Sequence, residues 1–174
     1  MIDYNTLTAW AAALTAWAAV VAAVVSVYAI WSESRRSRFA LGIDLLLNLE
    51  DKFNNDKMLK IRRSAARELL LHKEKSDVDN VLDFFEMVGM LVRRGALDDF
   101  MVWHNFFYWI HGYYLPNSDY IVESRIEDPT IWVDLVELYK RLVSIEKNER
   151  QCSDEKLQLT EEELTEFLEG ERKV

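Results

Sequence analysis

From Leu7 to Trp31 the chain runs for 25 consecutive residues without a charged side chain. At about 1.5 Å per residue, a helix of that length exceeds the roughly 30 Å hydrocarbon core of a bilayer. Trp10 and Trp31 would set indoles near opposite interfaces, with Tyr28 close to the second. The run predicts a transmembrane helix. A cleaved signal peptide competes for it, but that needs a basic amino-terminal region, and Met1 to Thr6 carries only Asp3. A buried soluble helix rarely extends this far uncharged. Alanine dominates the run, so insertion rests mainly on Val20, Val21, Val24, Val25, Val27 and Ile30.

Arg35, Arg36 and Arg38 follow the run directly, and nothing basic precedes it except the amino terminus. The positive-inside rule then keeps the carboxyl side in the cytoplasm and exports a short amino tail. A bacterial inner membrane is the simplest home. Residues 1–31 are read as exported tail and span, 32–150 as a cytoplasmic helical domain, and 151–174 as a loosely attached acidic tail.

Within the run, Ala12, Ala16, Ala19, Ala23 and Ser26 recur at spacings of four and three, and Ala9 and Ala13 widen the stripe. Small residues let helix backbones approach closely in lipid, so the stripe predicts a seam for a homo-oligomer. An alanine-rich segment also produces such spacing by chance. Trp17 sits inside the apolar zone, against lipid or between helices.

Helical periodicity continues past the arginines through Phe39, Ile43, Leu46, Leu49 and Phe53, predicting one continuous helix from about Leu7 to Phe53. Asp56 is read as the cap of a basic amphipathic helix from Lys57 to about Leu71, carrying Lys57, Lys60, Arg62, Arg63 and Arg67. Ser76 or Asp77 opens the next, which stops at Gly95. Asp98 caps an aromatic helix that ends before Pro116. Its apolar side chains cover more than half the circumference, which suits the centre of a bundle or a subunit interface. The expected interface or core residues are Phe84, Phe85, Gly89, Trp103, Phe106, Phe107, Ile110 and Tyr114. Asp128-Pro129 is read as the start of a further helix, and Thr160 with Glu163 as a capping box. The fold class is all-α: a transmembrane helix continuing into a cytoplasmic helical bundle.

Whole-chain averages conceal this division. Net charge −9 and mean hydropathy −0.14 describe an acidic soluble domain. Yet residues 32–75 carry a net +4, 76–150 a net −7 and 151–174 a net −5. A basic shoulder beside an anionic leaflet with an acidic distal part fits a cytoplasmic domain on a membrane, as it also fits solvated helix faces. The overall charge disfavours nucleic acid as a partner. One cysteine, Cys152, excludes a disulfide framework, and no cofactor or metal is expected.

Little chemistry is offered. Arg67 and His72 match the arginine, four residues, histidine pattern of HEPN-type ribonucleases, where paired protomers bring such groups onto RNA. On an ideal helix the two point about 140° apart, and the favoured reading is structural: Arg67 pairs with Glu68 or solvent, and His72 ends a helix where its charge suits the dipole. His104 and His111 are about 10 Å apart along a helix, too far to share one metal, and read as interfacial polar positions. Asp83 and Glu86, spaced i, i+3, hint at cation binding, but a solvated face is the favoured reading. Phosphate-binding loops, nucleophile elbows and zinc spacings are missing from the sequence, so catalysis is unsupported.

Phe84, Phe85, Glu86, Gly89, Leu91, Arg94, Gly95, Leu97, Asp98, Trp103 and Phe106 carry a resemblance. From the span to about Arg150 the chain resembles a bacterial family of small membrane-anchored proteins known only as a domain of unknown function. The resemblance implies one amino-terminal span and a cytoplasmic helical domain, with no assigned activity. The layout is also similar to small membrane accessory proteins of antiviral systems, thought to assemble into membrane-perturbing oligomers. The leading expectation is an oligomeric inner-membrane protein whose helical domain assembles or gates its spans as a pore-like defence effector. The alternatives are a non-conducting anchor or scaffold for a cytoplasmic protein partner, and the ribonuclease.

Overall fold

The computed structural model describes the backbone of residues 4–71, 75–151, 153 and 157–174, with side chains omitted at 4–16, 18–23, 34–36 and 38. The fold is all-α. The helices are α1 (Tyr4–Phe53), α2 (Asp56–Leu70), α3 (Ser76–Arg93), α4 (Asp99–Tyr114), α5 (Ser118–Glu127), α6 (Val133–Arg150) and α7 (Glu161–Lys173), with a 3-10 turn at Leu115–Asn117. The chain divides into two units, Met1–Leu41 and Gly42–Val174.

The described residues of the first unit lie within α1. Val24, Val25, Val27, Tyr28, Ile30 and Trp31 are all more than half exposed. Among the described residues no helix is long and apolar enough to cross a membrane. Most of the charge-free run has no described side chains, and the expected continuous helix is present as α1.

The second unit is a helical bundle around an aromatic centre. Phe53, at the end of α1, is fully buried. Its ring lies 5.1 Å from Phe84, 5.4 Å from Phe85, 5.7 Å from Phe106 and 5.3 Å from Trp109. The expected α1 stripe is used only in part: Leu46, Leu49 and Phe53 are buried, whereas Phe39 and Ile43 are exposed.

Helix starts show where local signals prevail and where distant ones do. Asp98 accepts from the amides of Phe100 and Met101, and the Thr160–Glu163 capping box forms as expected. For α2 the cap is Asn55, not Asp56. Asn55 has the extended backbone a cap requires and accepts from Met58 N–H at 2.8 Å. Lys75 gives α3 no side-chain cap; the Glu68 carboxylate of α2 instead accepts from the amides of Asp77 and Val78 at 3.0 and 3.1 Å.

Asp128-Pro129 does not start a helix. Asp128 folds back on Thr130, accepting from its amide and its hydroxyl. α6 begins only at Val133, after Trp132 takes a left-handed backbone with φ 49°. That costly conformation is held by its partners. The Trp132 ring is buried and its Nε1–H donates to Asp83 at 2.8 Å. Glu86 caps α6 from α3, accepting from the amides of Asp134 and Leu135 at 3.1 and 2.6 Å. Asp83 and Glu86 are therefore structural acceptors rather than a merely solvated face. Gly89 lets α3 and α6 meet, because a Cβ there would lie 2.4 Å from the Asp134 carbonyl oxygen.

Within the acidic tail, Glu161–Lys173 forms a packed helix. α7 buries Phe167, Leu168 and Glu171, and packs on α2 and α4. Gly112 of α4 makes the seat, since a Cβ there would lie 2.5 Å from the Phe167 ring.

Candidate functional site

The polar centre of the bundle starts from an arginine on the wrong side of an amphipathic helix. Arg62 shares its face of α2 with Ala65 and Ala66, all three buried, while Lys57, Lys60 and Arg67 are exposed. A guanidinium so enclosed needs an anion. Glu171 of α7 supplies it bidentately: Nε and Nη2 of Arg62 each donate to a carboxylate oxygen at 2.7 Å, with both side chains 5 % exposed or less. Arg62 Nη1 also donates to the Phe53 carbonyl at 3.2 Å, and the guanidinium lies 4.1 Å from the Phe53 ring centroid. Tyr113 O–H and Trp109 Nε1–H donate to Glu171 at 2.9 and 3.1 Å. Burial, and then the Glu171 charge, push the Tyr113 phenol far up, so it stays a donor. Four polar side chains from α2, α4 and α7 and one carbonyl from α1 thus converge.

Beside this network a cleft of about 590 Å³ opens among α4, the end of α6 and α7. Trp103, Phe107, Tyr108 and Phe167 wall it, with His104, His111, Glu146, Arg150, Glu163 and Glu166 among the lining polar side chains. Most of these polar groups are already engaged. Glu146 accepts from Trp103 Nε1–H at 2.7 Å and pairs with Arg150 at 2.9 Å. Glu163 belongs to the capping box. His111 is buried, not an interfacial position. Its Nδ1 lies 3.0 Å from the Tyr139 hydroxyl, and its ring stacks on Phe107 and Tyr139. Burial lowers its pKa, opposed by a hydrogen bond with the Leu157 backbone and by the Glu146 charge. His104 is exposed. The cleft offers aromatic walls and a neutral imidazole. Among the described residues no group of three or more His, Cys, Asp or Glu side chains could hold a metal ion.

The residues singled out from sequence fall in three places. Phe85, Phe106, Gly89 and Ile110 are buried, with Phe84 nearly so, and Trp103, Phe107 and Tyr114 are half-buried around them. Of the small-residue stripe, Ser26 is exposed; the side chains of Ala9, Ala12, Ala13, Ala16, Ala19 and Ala23 lie outside the described residues, as do those of Trp10, Arg35, Arg36 and Arg38. Tyr28 and Trp31 are exposed, with ring centroids 6.2 Å apart. Arg67 is exposed on α2, and His72 lies outside the described residues.

Sequence reading missed the Arg62–Glu171 pair, whose members are 109 residues apart. The signal was present at both ends. Arg62 falls three and four residues before Ala65 and Ala66, and Glu171 falls four and three after Phe167 and Leu168. Each is a charge on an apolar stripe.

The sequence profile of a family described as Domain of unknown function (DUF4760) matches residues 16–142. No curated protein and no solved structure matches the chain. α7 and Glu171 lie beyond the matched residues.

Proposed function

The chain belongs to the DUF4760 family, a domain of unknown function, and from that premise we propose that it is an oligomeric, single-pass membrane-anchored protein. Its amino terminus is outside, and its Gly42–Val174 bundle is a cytoplasmic assembly module. One observation carries the reading. Between Val24 and Trp31, α1 exposes apolar side chains around most of its circumference, within a charge-free run of 25 residues. A helix apolar on every side is stable in lipid or among other helices, and costly in water. The three arginines that follow the run support the orientation. The home that fits is a bacterial inner membrane. Carbonate extraction of membranes from cells expressing the full chain tests this: the protein stays with the pelleted bilayer, and release into the supernatant would refute anchoring.

The small-residue stripe favours a further step, in which assembled spans form an apolar pore gated by the bundle, in the manner of a membrane-permeabilising defence effector. Dye release from loaded vesicles separates this from a plain anchor or scaffold that holds a cytoplasmic partner. A pore leaks, and Ala16→Ile with Ala23→Ile stops the leak while leaving the protein in the membrane. An anchor never leaks.

A further inference from the structure

We infer that the outer strip of α2 docks on anionic lipid headgroups, an inference that rests on the membrane-anchor reading and adds to it a second contact with the bilayer. At 100° per residue, Lys57, Lys60, Arg67 and Leu71, the residue after the helix, fall on one strip opposite Arg62, Ala65 and Ala66. All four are exposed, Leu71 by 59 %. The other cations of α2 are engaged elsewhere: Arg62 with Glu171, and Arg63 with the backbone oxygen of Val174. Lys57, Lys60 and Arg67 make no ion pair among the described residues. Two acids border the strip, Asp56 at one margin and Glu68 at the other, and Glu68 is turned to the amides of Asp77 and Val78.

Charge complementarity selects the occupant. The excess of cations is confined to residues 32–75, on a chain of net charge −9. An anionic bilayer surface attracts each lysine or arginine held against it by roughly fivefold in occupancy, so three act together by about a hundredfold. The exposed leucine at the end of the strip suits the headgroup–acyl boundary; a nucleic acid has no such use for it.

The test uses the full native chain in nanodiscs of phosphatidylcholine, with or without phosphatidylglycerol. Lysine acylation is read by mass spectrometry. Lys57 and Lys60 are expected to lose severalfold in modification rate on the anionic discs and to recover it in about 0.5 M salt, while exposed Lys140 of α6 is unchanged. Equal modification on both discs overturns the inference. Protection by inorganic phosphate alone would make the strip a free-anion site, and stronger protection by oligo-RNA than by anionic lipid would make it a nucleic-acid surface; either overturns it. A chain that enters neither disc sinks the anchor reading, yet protection by anionic vesicles added from outside would still uphold the α2 surface.

Discussion

Removing the Glu171 carboxylate is the sharpest perturbation of the bundle. In Glu171→Ala the buried Arg62 guanidinium loses both of its 2.7 Å bonds to a carboxylate and keeps only the neutral Phe53 carbonyl and Asn54 Oδ1, at 3.2 and 3.4 Å from Nη1. Breaking one side of a buried pair in this way costs roughly 3–5 kcal/mol, because the remaining charge is uncompensated. Trp109 Nε1–H also loses its acceptor and Tyr113 O–H its shorter one, keeping the Arg62 carbonyl at 3.4 Å, which adds to the cost. For a unit of this size the loss lowers the thermal midpoint by roughly 10 °C or more. Near-ultraviolet circular dichroism in mild detergent follows it through the buried aromatic residues. The double variant Arg62→Met with Glu171→Met removes both charges and keeps apolar volume, so it recovers most of the loss. A Glu171→Ala variant whose stability lies within about 1 kcal/mol of the parent would refute the reasoning. So would a double variant whose cost equals the sum of the two singles.

Three further outcomes follow from the same geometry. Gly89→Ala drives a Cβ to 2.4 Å from a backbone oxygen on α6, where neither helix yields cheaply, and urea titration should show a loss of roughly 1–3 kcal/mol. Glu86→Ala uncaps α6 and costs about 1–2 kcal/mol in the same titration, whereas Glu86→Gln keeps an acceptor and loses less. His111 has a lowered pKa when folded, so the unfolded chain binds its proton more readily. Its contribution is complete above the unfolded value of about 6.5 and is lost as pH falls toward the folded pKa. The thermal midpoint of the parent should therefore drop more between about pH 7.5 and 5.5 than that of His111→Gln, and parallel profiles would contradict this.

What the sequence revealed follows the range of the interaction. Asp98, Gly95 with φ 68° and the Thr160–Glu163 box are local devices, and each forms where its neighbours place it. The all-α class was equally legible, from periodic apolar stripes. α5 was not: it buries only Ile121, while Val122 and Ile126 are exposed, so no stripe announces it. At the start of α6 the local Asp128-Pro129 signal loses to Trp132 burial and to a cap from Glu86, 48 residues away. Glu68 acts on α3 in the same way. In α7 the acidic composition masks one buried stripe of Phe167, Leu168 and Glu171. Burial of Glu171 depends on an arginine that no local pattern could bring to it.

The central claim is that the amino-terminal helix crosses a bilayer. In a Cys152→Ser background, single cysteines at Asn5 and at Ser144, which is exposed on α6, can be challenged with a membrane-impermeant maleimide on intact spheroplasts and again after lysis. The account predicts that Asn5→Cys is modified from outside and that Ser144→Cys reacts only after lysis. If both sites are protected until lysis, or both react beforehand, the helix does not cross.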